Sequence, residues 1–295
     1  MLIYDRLIAL MLGRLQMSTR DALRTYNKLA EMIFCKGNQK STFKDGTFKA
    51  TTLEKEIQKL VTERELGEYM EFEDKDSNHA KTFVCAIPAM NMDRPRLFRS
   101  YEVRENASAN CKIWEAARAT TAAPTFFKRI QITHDAGAKE DFLDGGMRYN
   151  NPTRLLLDEA YAKFGGKAKL GCLISLGTGQ RGTVGLAQPD SFQKVLPTKL
   201  IDVLKSNATD CEKTAEEIAR QFGRIGNRYF RLSVSHDVGN ISLQEWKKTD
   251  EVQTHTKAYM EKFAVNSSVN DVVSILCKED ASNDPGPSLQ SICQS

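Results

Sequence analysis

The segment FLDGGMRYNNP (residues 142–152) decides the fold assignment of this chain, because it combines a strand end, a sharp turn and a helix start. Its first two residues read as the end of a short strand, and Asp144 follows with Gly145 and Gly146. Glycine permits sharp turns and a close backbone approach, so an aspartate placed here can present its carboxylate to a cleft. The alternative is an ordinary turn aspartate, since aspartate is common before glycine in turns.

Strand and helix patterns alternate on both sides of this segment. Asn151 is predicted to cap a helix that begins at Pro152. Strands are predicted near residues 84, 143 and 173, with helical segments between them, which indicates an α/β fold with a layered sheet and substantial parallel pairing. We expect one domain over residues 1–277. The stretch from Lys278 to Ser295 is rich in Asp, Ser, Asn and Pro, which predicts a disordered tail.

The composition narrows the class of protein. The chain has 295 residues, 41% of them apolar and 27% charged, which suits a globular domain. Its formal net charge of +4 is spread along the sequence, so no nucleic-acid partner is expected. Seven cysteines without a Cys-x-x-Cys pair favour free thiols in a reducing compartment, and the predicted location is cytoplasmic with contact at a membrane surface. The four histidines show no metal-binding spacing, so neither a metal nor a cofactor is expected.

Four short stretches, in this order and spacing, resemble the patatin-like phospholipase family, in particular its fungal members: LIALMLGRLQMS (7–18), TTAAPTFF (120–127), FLDGGMRYNNP (142–152) and SLGTG (175–179). The resemblance implies a three-layer α/β sandwich around a mainly parallel central sheet. It also implies a lipid acyl hydrolase in which a serine on a Gly-x-Ser-x-Gly turn attacks a phospholipid or acylglycerol ester. In that family an aspartate takes the proton of the serine, and Asp144 matches this general base, with Gly145 and Gly146 shaping its turn.

The nucleophile of that pattern is missing from this sequence. No Gly-x-Ser-x-Gly occurs anywhere in the chain, and Ile3 stands where the resemblance would place the serine. Ser175 lies in an apolar strand pattern without the elbow geometry, so we interpret it as a strand or core serine. We therefore expect a patatin-like domain that lacks its N-terminal part, including the first strands and the oxyanion loop. An uncovered sheet edge would favour self-association.

Two hypotheses about function follow from these residues. In the first, the protein belongs to lipid metabolism as an acyl hydrolase acting through a serine–aspartate dyad, of which this chain contains only Asp144. In the second, it is a catalytically inactive relative that binds a lipid or a partner protein through the remaining cleft. Because an enzyme without its nucleophile loses several orders of magnitude in rate, the chain as written is expected to be inactive. A third interpretation is an unrelated α/β protein with coincidental motifs.

Overall fold

A four-stranded antiparallel sheet forms the centre of the part of the chain that precedes residue 150. The computed structural model describes residues 4–40, 46–64, 66–67, 69–76, 78–103, 110–134, 137–177, 198–226, 228–234, 246–277 and 286–294, with the backbone alone at 4, 5, 198–209 and 246. The strands are β1 (Phe83–Pro88), β2 (Arg96–Arg99), β3 (Ile130–Thr133) and β4 (Lys139–Asp144), in the order β2-β1-β4-β3. Each strand is antiparallel to its neighbours.

Four helices pack around this sheet and supply most of the larger core. They are α1 (Tyr4–Ala9), which continues into a π-helical turn at Leu10–Arg14, α2 (Thr19–Phe34), α3 (Ala50–Glu63) and α4 (Ile113–Thr120). Ser18 caps the start of α2, because its hydroxyl accepts the Asp21 backbone N–H at 3.1 Å. α4 packs on β1 and β4, and its alanines allow a close approach to the sheet. This core therefore positions the end of β4 beneath α1 and α4.

A second, smaller sheet follows along the chain. β5 (Leu173–Gly177) and β6 (Tyr229–Ser233) are parallel, and α5 (Thr153–Phe164) and α6 (Thr198–Ile225) pack with them around a separate apolar cluster. α7 (Thr249–Met260) and α8 (Phe263–Leu276) follow β6, and α9 (Leu289–Cys293) is the last described helix. Within the described ranges, no helix is both long enough and apolar enough to span a membrane.

The predicted mixture of helices and strands is confirmed, but the expected mainly parallel central sheet is not what the described strands form. Among the strands that the structure describes, only β5 and β6 pair in parallel. The reason lies in the connections: residues 89–95 join β1 to β2, and residues 134–138 join β3 to β4. Links this short produce hairpins, whereas a parallel pair needs a crossover of a dozen or more residues. β3 was not predicted, because its four-residue alternation is too short to stand out.

The C-terminal segment also differs from its prediction. Residues 286–294, expected to be part of a disordered tail, include α9, whose Leu289 and Ile292 are buried against the cluster around α5 and α6. The backbone N–H of Leu289 donates to the Ala168 carbonyl at 2.9 Å. Two apolar side chains spaced three apart are enough to dock a single helical turn when a complementary surface is already present. Composition alone does not show that surface.

Candidate functional site

Asp144 is the last residue of β4 and lies opposite Ala86 of β1. Its backbone N–H donates to the Ala122 carbonyl at 3.1 Å, and its side chain is only 1% exposed. A short 3-10 turn, Gly145–Met147, begins directly after it. The carboxylate oxygen Oδ1 caps that turn by accepting the Gly146 backbone N–H at 2.6 Å. The predicted turn is therefore present, although the carboxylate is buried rather than open to a cleft.

Both glycines lie in close contact with neighbouring groups. A Cβ on Gly145 would collide with the carbonyl oxygen of Cys85 on the neighbouring strand. A Cβ on Gly146 would lie 2.8 Å from Nη1 of Arg6 and 3.0 Å from Oδ1 of Asp144. The pair thus lets the chain turn against β1 while leaving room for an arginine beside the aspartate.

Arg6 is the residue of this site that sequence reasoning missed. Its Nη1 donates to Oδ1 of Asp144 at 2.7 Å, and its Nη2 donates to the Tyr149 carbonyl at 3.1 Å. Both charged side chains are at least nine-tenths buried, so this is an ion pair largely shielded from water. The available signal was a charged residue directly before the apolar run that begins at Leu7. Its partner could not be identified because the two residues are 138 positions apart.

The second carboxylate oxygen of Asp144 is the unusual atom of the site. Oδ2 is buried and has no hydrogen-bond partner among the described residues, whereas Oδ1 accepts from both Arg6 and Gly146. Burial raises the pKa of Asp144 to about 6, even though the Arg6 guanidinium and the Gly146 N–H both act to lower it. A carboxyl group with this pKa exchanges its proton near neutral pH, which is a property expected of a general base or acid.

Cys85 lies beside this ion pair, and its environment keeps the thiol inert. The thiol is 3% exposed, and burial raises its pKa despite the nearby Arg6 charge. A thiol must ionise to act as a nucleophile, so Cys85 stays a neutral packing residue at neutral pH. The Thr120 hydroxyl donates to the Cys85 carbonyl at 2.6 Å, which confirms that the TTAAPTFF stretch packs against this strand.

Ser175 lies in the other sheet and takes part in a different polar network. Its hydroxyl accepts from Nη1 of Arg231 at 2.9 Å and shares a hydrogen bond of 3.0 Å with the Thr153 hydroxyl. The Thr153 hydroxyl also donates to Oδ1 of Asn151 at 2.6 Å, and the Asn151 amide donates to the Cys211 carbonyl. Ser175 therefore joins β5 to the start of α5, as expected for a strand serine, and no described hydroxyl bonds Asp144.

Two further features of the structure bear on the kind of site. In the part of the chain that the structure describes, no three His, Cys, Asp or Glu side chains lie close enough together to hold a metal ion. A small apolar cavity of about 10 Å³, partly open to solvent, lies between α1, α2, α3 and the TTAAPTFF stretch. Its lining residues are Leu7, Tyr26, Leu29, Ala30, Ile33, Phe34, Leu53 and Phe127. Because Asp144 does not line it, the cavity adds nothing to the carboxylate chemistry.

Comparison with known proteins places the Asp144 turn within a recognised sequence family. The sequence model described as patatin-like phospholipase matches residues 7–157, which is 151 of the 295 residues. Calcium-independent phospholipase A2-gamma from mouse (Mus musculus) is 27% identical over 92% of this chain and 35% of its own length, and the human protein is 26% identical over 92% and 34%. Patatin-like protein 3 from Arabidopsis thaliana is 35% identical, over 25% of this chain and 18% of its own length. The chain thus spans about a third of the phospholipase A2-gamma sequences, and Arg6 lies just before the family match.

Proposed function

Because this chain belongs to the patatin-like phospholipase family, we propose that it serves hydrolysis of lipid acyl esters, with Asp144 as the general base of a serine–aspartate dyad. This sequence contains only the aspartate of that dyad. The observation that carries the proposal is the state of Asp144 itself: a buried carboxylate at a strand end, with a pKa of about 6 and one oxygen that has no hydrogen-bond partner in the described part of the chain. The relatives named as phospholipases A2 support a phospholipid as the substrate.

The geometry assigns different tasks to the two carboxylate oxygens in this proposal. Oδ1 is held by Arg6 and by the Gly146 N–H, so the side chain cannot rotate freely. Oδ2 then remains to accept the proton of a serine hydroxyl, which is a weak nucleophile until a neighbouring base assists it. A pKa near 6 keeps most of the carboxylate ionised at neutral pH and still allows it to return the proton to the leaving group.

A noncatalytic role is the second candidate, and the Arg6–Asp144 pair favours it. The sequence has no Gly-x-Ser-x-Gly, and an arginine rather than a hydroxyl group donates a hydrogen bond to the Asp144 carboxylate. In this role Asp144 and Arg6 tie α1 to β4, and the protein binds a lipid or a partner protein without turning it over. For either function, we propose a cytoplasmic protein that contacts a membrane surface. Self-association through an exposed sheet edge also stays a prediction for either function. In the described part of the large sheet, the edge strands are β2 and β3.

The test uses the endogenous protein, captured with an antibody against an internal peptide and examined by mass, probe labelling and lipid hydrolysis. The chain as written has a mass of 33.2 kDa. If the hydrolase proposal is right, the captured protein is heavier and contains a Gly-x-Ser-x-Gly peptide. A fluorophosphonate probe then labels that serine, and the protein releases fatty acid from phospholipid unless Asp144 is replaced by asparagine. A 33.2 kDa species without labelling or fatty-acid release would overturn the hydrolase proposal and support the noncatalytic one.

A further inference from the structure

The turn between β1 and β2, residues 89–95, is called the hairpin tip here, and it carries an isolated apolar side chain into solvent. Met90 is 97% exposed, more than any other large hydrophobic side chain in the described part of the chain. Side-chain exposure rises abruptly along the chain at this point, because residues 84–88 of β1 are all buried. Single exposed hydrophobic residues are common on protein surfaces, so Met90 indicates a binding surface only if its surroundings also do.

Two arginines and one aspartate lie in the tip or directly beside it. Arg94 is exposed and forms no ion pair with a described residue. Arg148 lies beside the tip, where its Nη1 donates to Oδ1 of Asp93 at 2.6 Å, and its side chain remains 48% exposed. Together these three charged groups give the tip a net positive charge. An apolar, flexible side chain flanked by unneutralised arginine suits the boundary between lipid headgroups and acyl chains.

The hairpin tip is also connected to the candidate site through a short series of contacts. Arg148 donates to the Met92 carbonyl at 3.2 Å, and the Tyr149 hydroxyl donates to the Asp93 carbonyl at 3.2 Å. The Tyr149 carbonyl in turn accepts from Arg6, which holds Asp144. Asp144 lies opposite Ala86, and Met90 follows two residues after the end of the same strand, β1.

We propose that the hairpin tip is a contact surface for an anionic lipid bilayer, with Met90 entering the membrane boundary and Arg94 and Arg148 facing the lipid headgroups. This inference rests on the proposed function, because a protein that acts on or binds lipid esters must meet them at a membrane surface. The tip would hold the bilayer close to the segment that follows Asp144.

The experiment measures binding of the purified 295-residue protein to sedimenting vesicles of phosphatidylcholine, with and without phosphatidylserine. Met90→Asp should lower binding about tenfold on vesicles that contain phosphatidylserine, because burial of one methionine is lost. Arg94→Gln should lower it about fivefold on those vesicles and have little effect without phosphatidylserine. Both side chains are exposed, so folding should be unaffected, and matching far-UV circular dichroism spectra check this.

Phe263→Asp is the matched control, because Phe263 is 89% exposed on α8 and far from the tip in the sequence. It should bind vesicles as the unaltered protein does. Failure of the unaltered protein to bind either vesicle, unchanged binding of the two tip variants, or an equal loss in Phe263→Asp would each overturn the proposal. Vesicle binding is measured without turnover, so its outcome is separate from the test of the hydrolase proposal. Tip-dependent binding, together with an endogenous species of 33.2 kDa that the fluorophosphonate probe does not label, would refute the hydrolase proposal alone.

Discussion

Replacing Arg6 by methionine is expected to raise the pKa of Asp144 well above its present value of about 6. Methionine keeps an unbranched side chain of similar reach and removes the guanidinium. Burial, which already raises the pKa, would then be opposed by the Gly146 N–H without the help of the Arg6 charge. The variant therefore separates the effect of the ion pair on the pKa of Asp144 from the effect of burial on that pKa.

The size of the effect follows from the contact itself. Nη1 of Arg6 and Oδ1 of Asp144 are 2.7 Å apart, with both side chains shielded from water. An adjacent arginine lowers the pKa of a carboxyl group by about 1 to 3, so its removal should bring Asp144 to about 7 to 9. At pH 7 the ionised fraction would fall from about nine-tenths to about one-half or less. The carboxyl would then be poorly suited to accept a proton at neutral pH.

The assay is a ¹³C NMR titration of the aspartate side-chain carboxyl groups, in the unaltered protein, Arg6→Met and Arg6→Lys. The lysine variant keeps a positive charge in place and should retain most of the effect. Asp74 serves as an internal reference, because its pKa is lowered, against the effect of its own burial, by His79 at 2.8 Å and by Arg14 at 3.6 Å. Those contacts do not involve Arg6.

Two results would refute this reasoning. An Asp144 pKa that is the same in the unaltered protein and in Arg6→Met would mean that the ion pair does not form in solution. A joint change at Asp144 and Asp74 would mean that the substitution disturbs the whole fold rather than one contact. In the first case, the assignment of Oδ2 as the free oxygen would fail as well.

Three stability predictions accompany this one. Asp144→Asn should make the free energy of unfolding depend less on pH. In the unaltered protein the pKa of Asp144 is about 6 in the folded state against the ordinary 3.8, so its protonated carboxyl stabilises the fold below about pH 4. About 3 kcal/mol of this stability is lost as the pH rises through 6, which urea unfolding at several pH values measures. Gly145→Ala should cost about 1 to 3 kcal/mol in thermal unfolding, because its methyl would meet a backbone carbonyl of β1. Arg99→Met should cost about 3 to 5 kcal/mol in urea unfolding, because it leaves the Glu159 carboxylate buried without its counter-charge.

Each stability prediction has a control and a result that contradicts it. An equal change in stability between pH 4 and 7 in Asp144→Asn and the unaltered protein would contradict the first. Gly223→Ala, in α6 with open space around it, should be neutral or stabilise by up to about 1 kcal/mol, and an equal loss there would undo the argument for Gly145. Arg99→Met combined with Glu159→Leu should recover most of the loss, and no recovery would show that packing rather than charge was lost.

The candidate site was only partly predictable from the sequence. The Asp144 turn was recognisable because a strand end, two glycines and a helix start follow one another within eleven residues. Arg6 was not, since an ion pair between residues 138 positions apart leaves no local pattern. The catalytic role of Asp144 stays a prediction, whereas its burial and its contact with Arg6 are properties of the fold.

The sequence by itself determined the family, the mixture of helices and strands, and the location of the Asp144 turn, because these depend on residues that are near one another along the chain. Only the tertiary structure decided that β1 and β4 are antiparallel neighbours, that α9 docks against α5 and α6, and that Arg6 meets Asp144. These are contacts between distant segments. Their free energy depends on which surfaces become buried together, and a linear pattern does not contain that information.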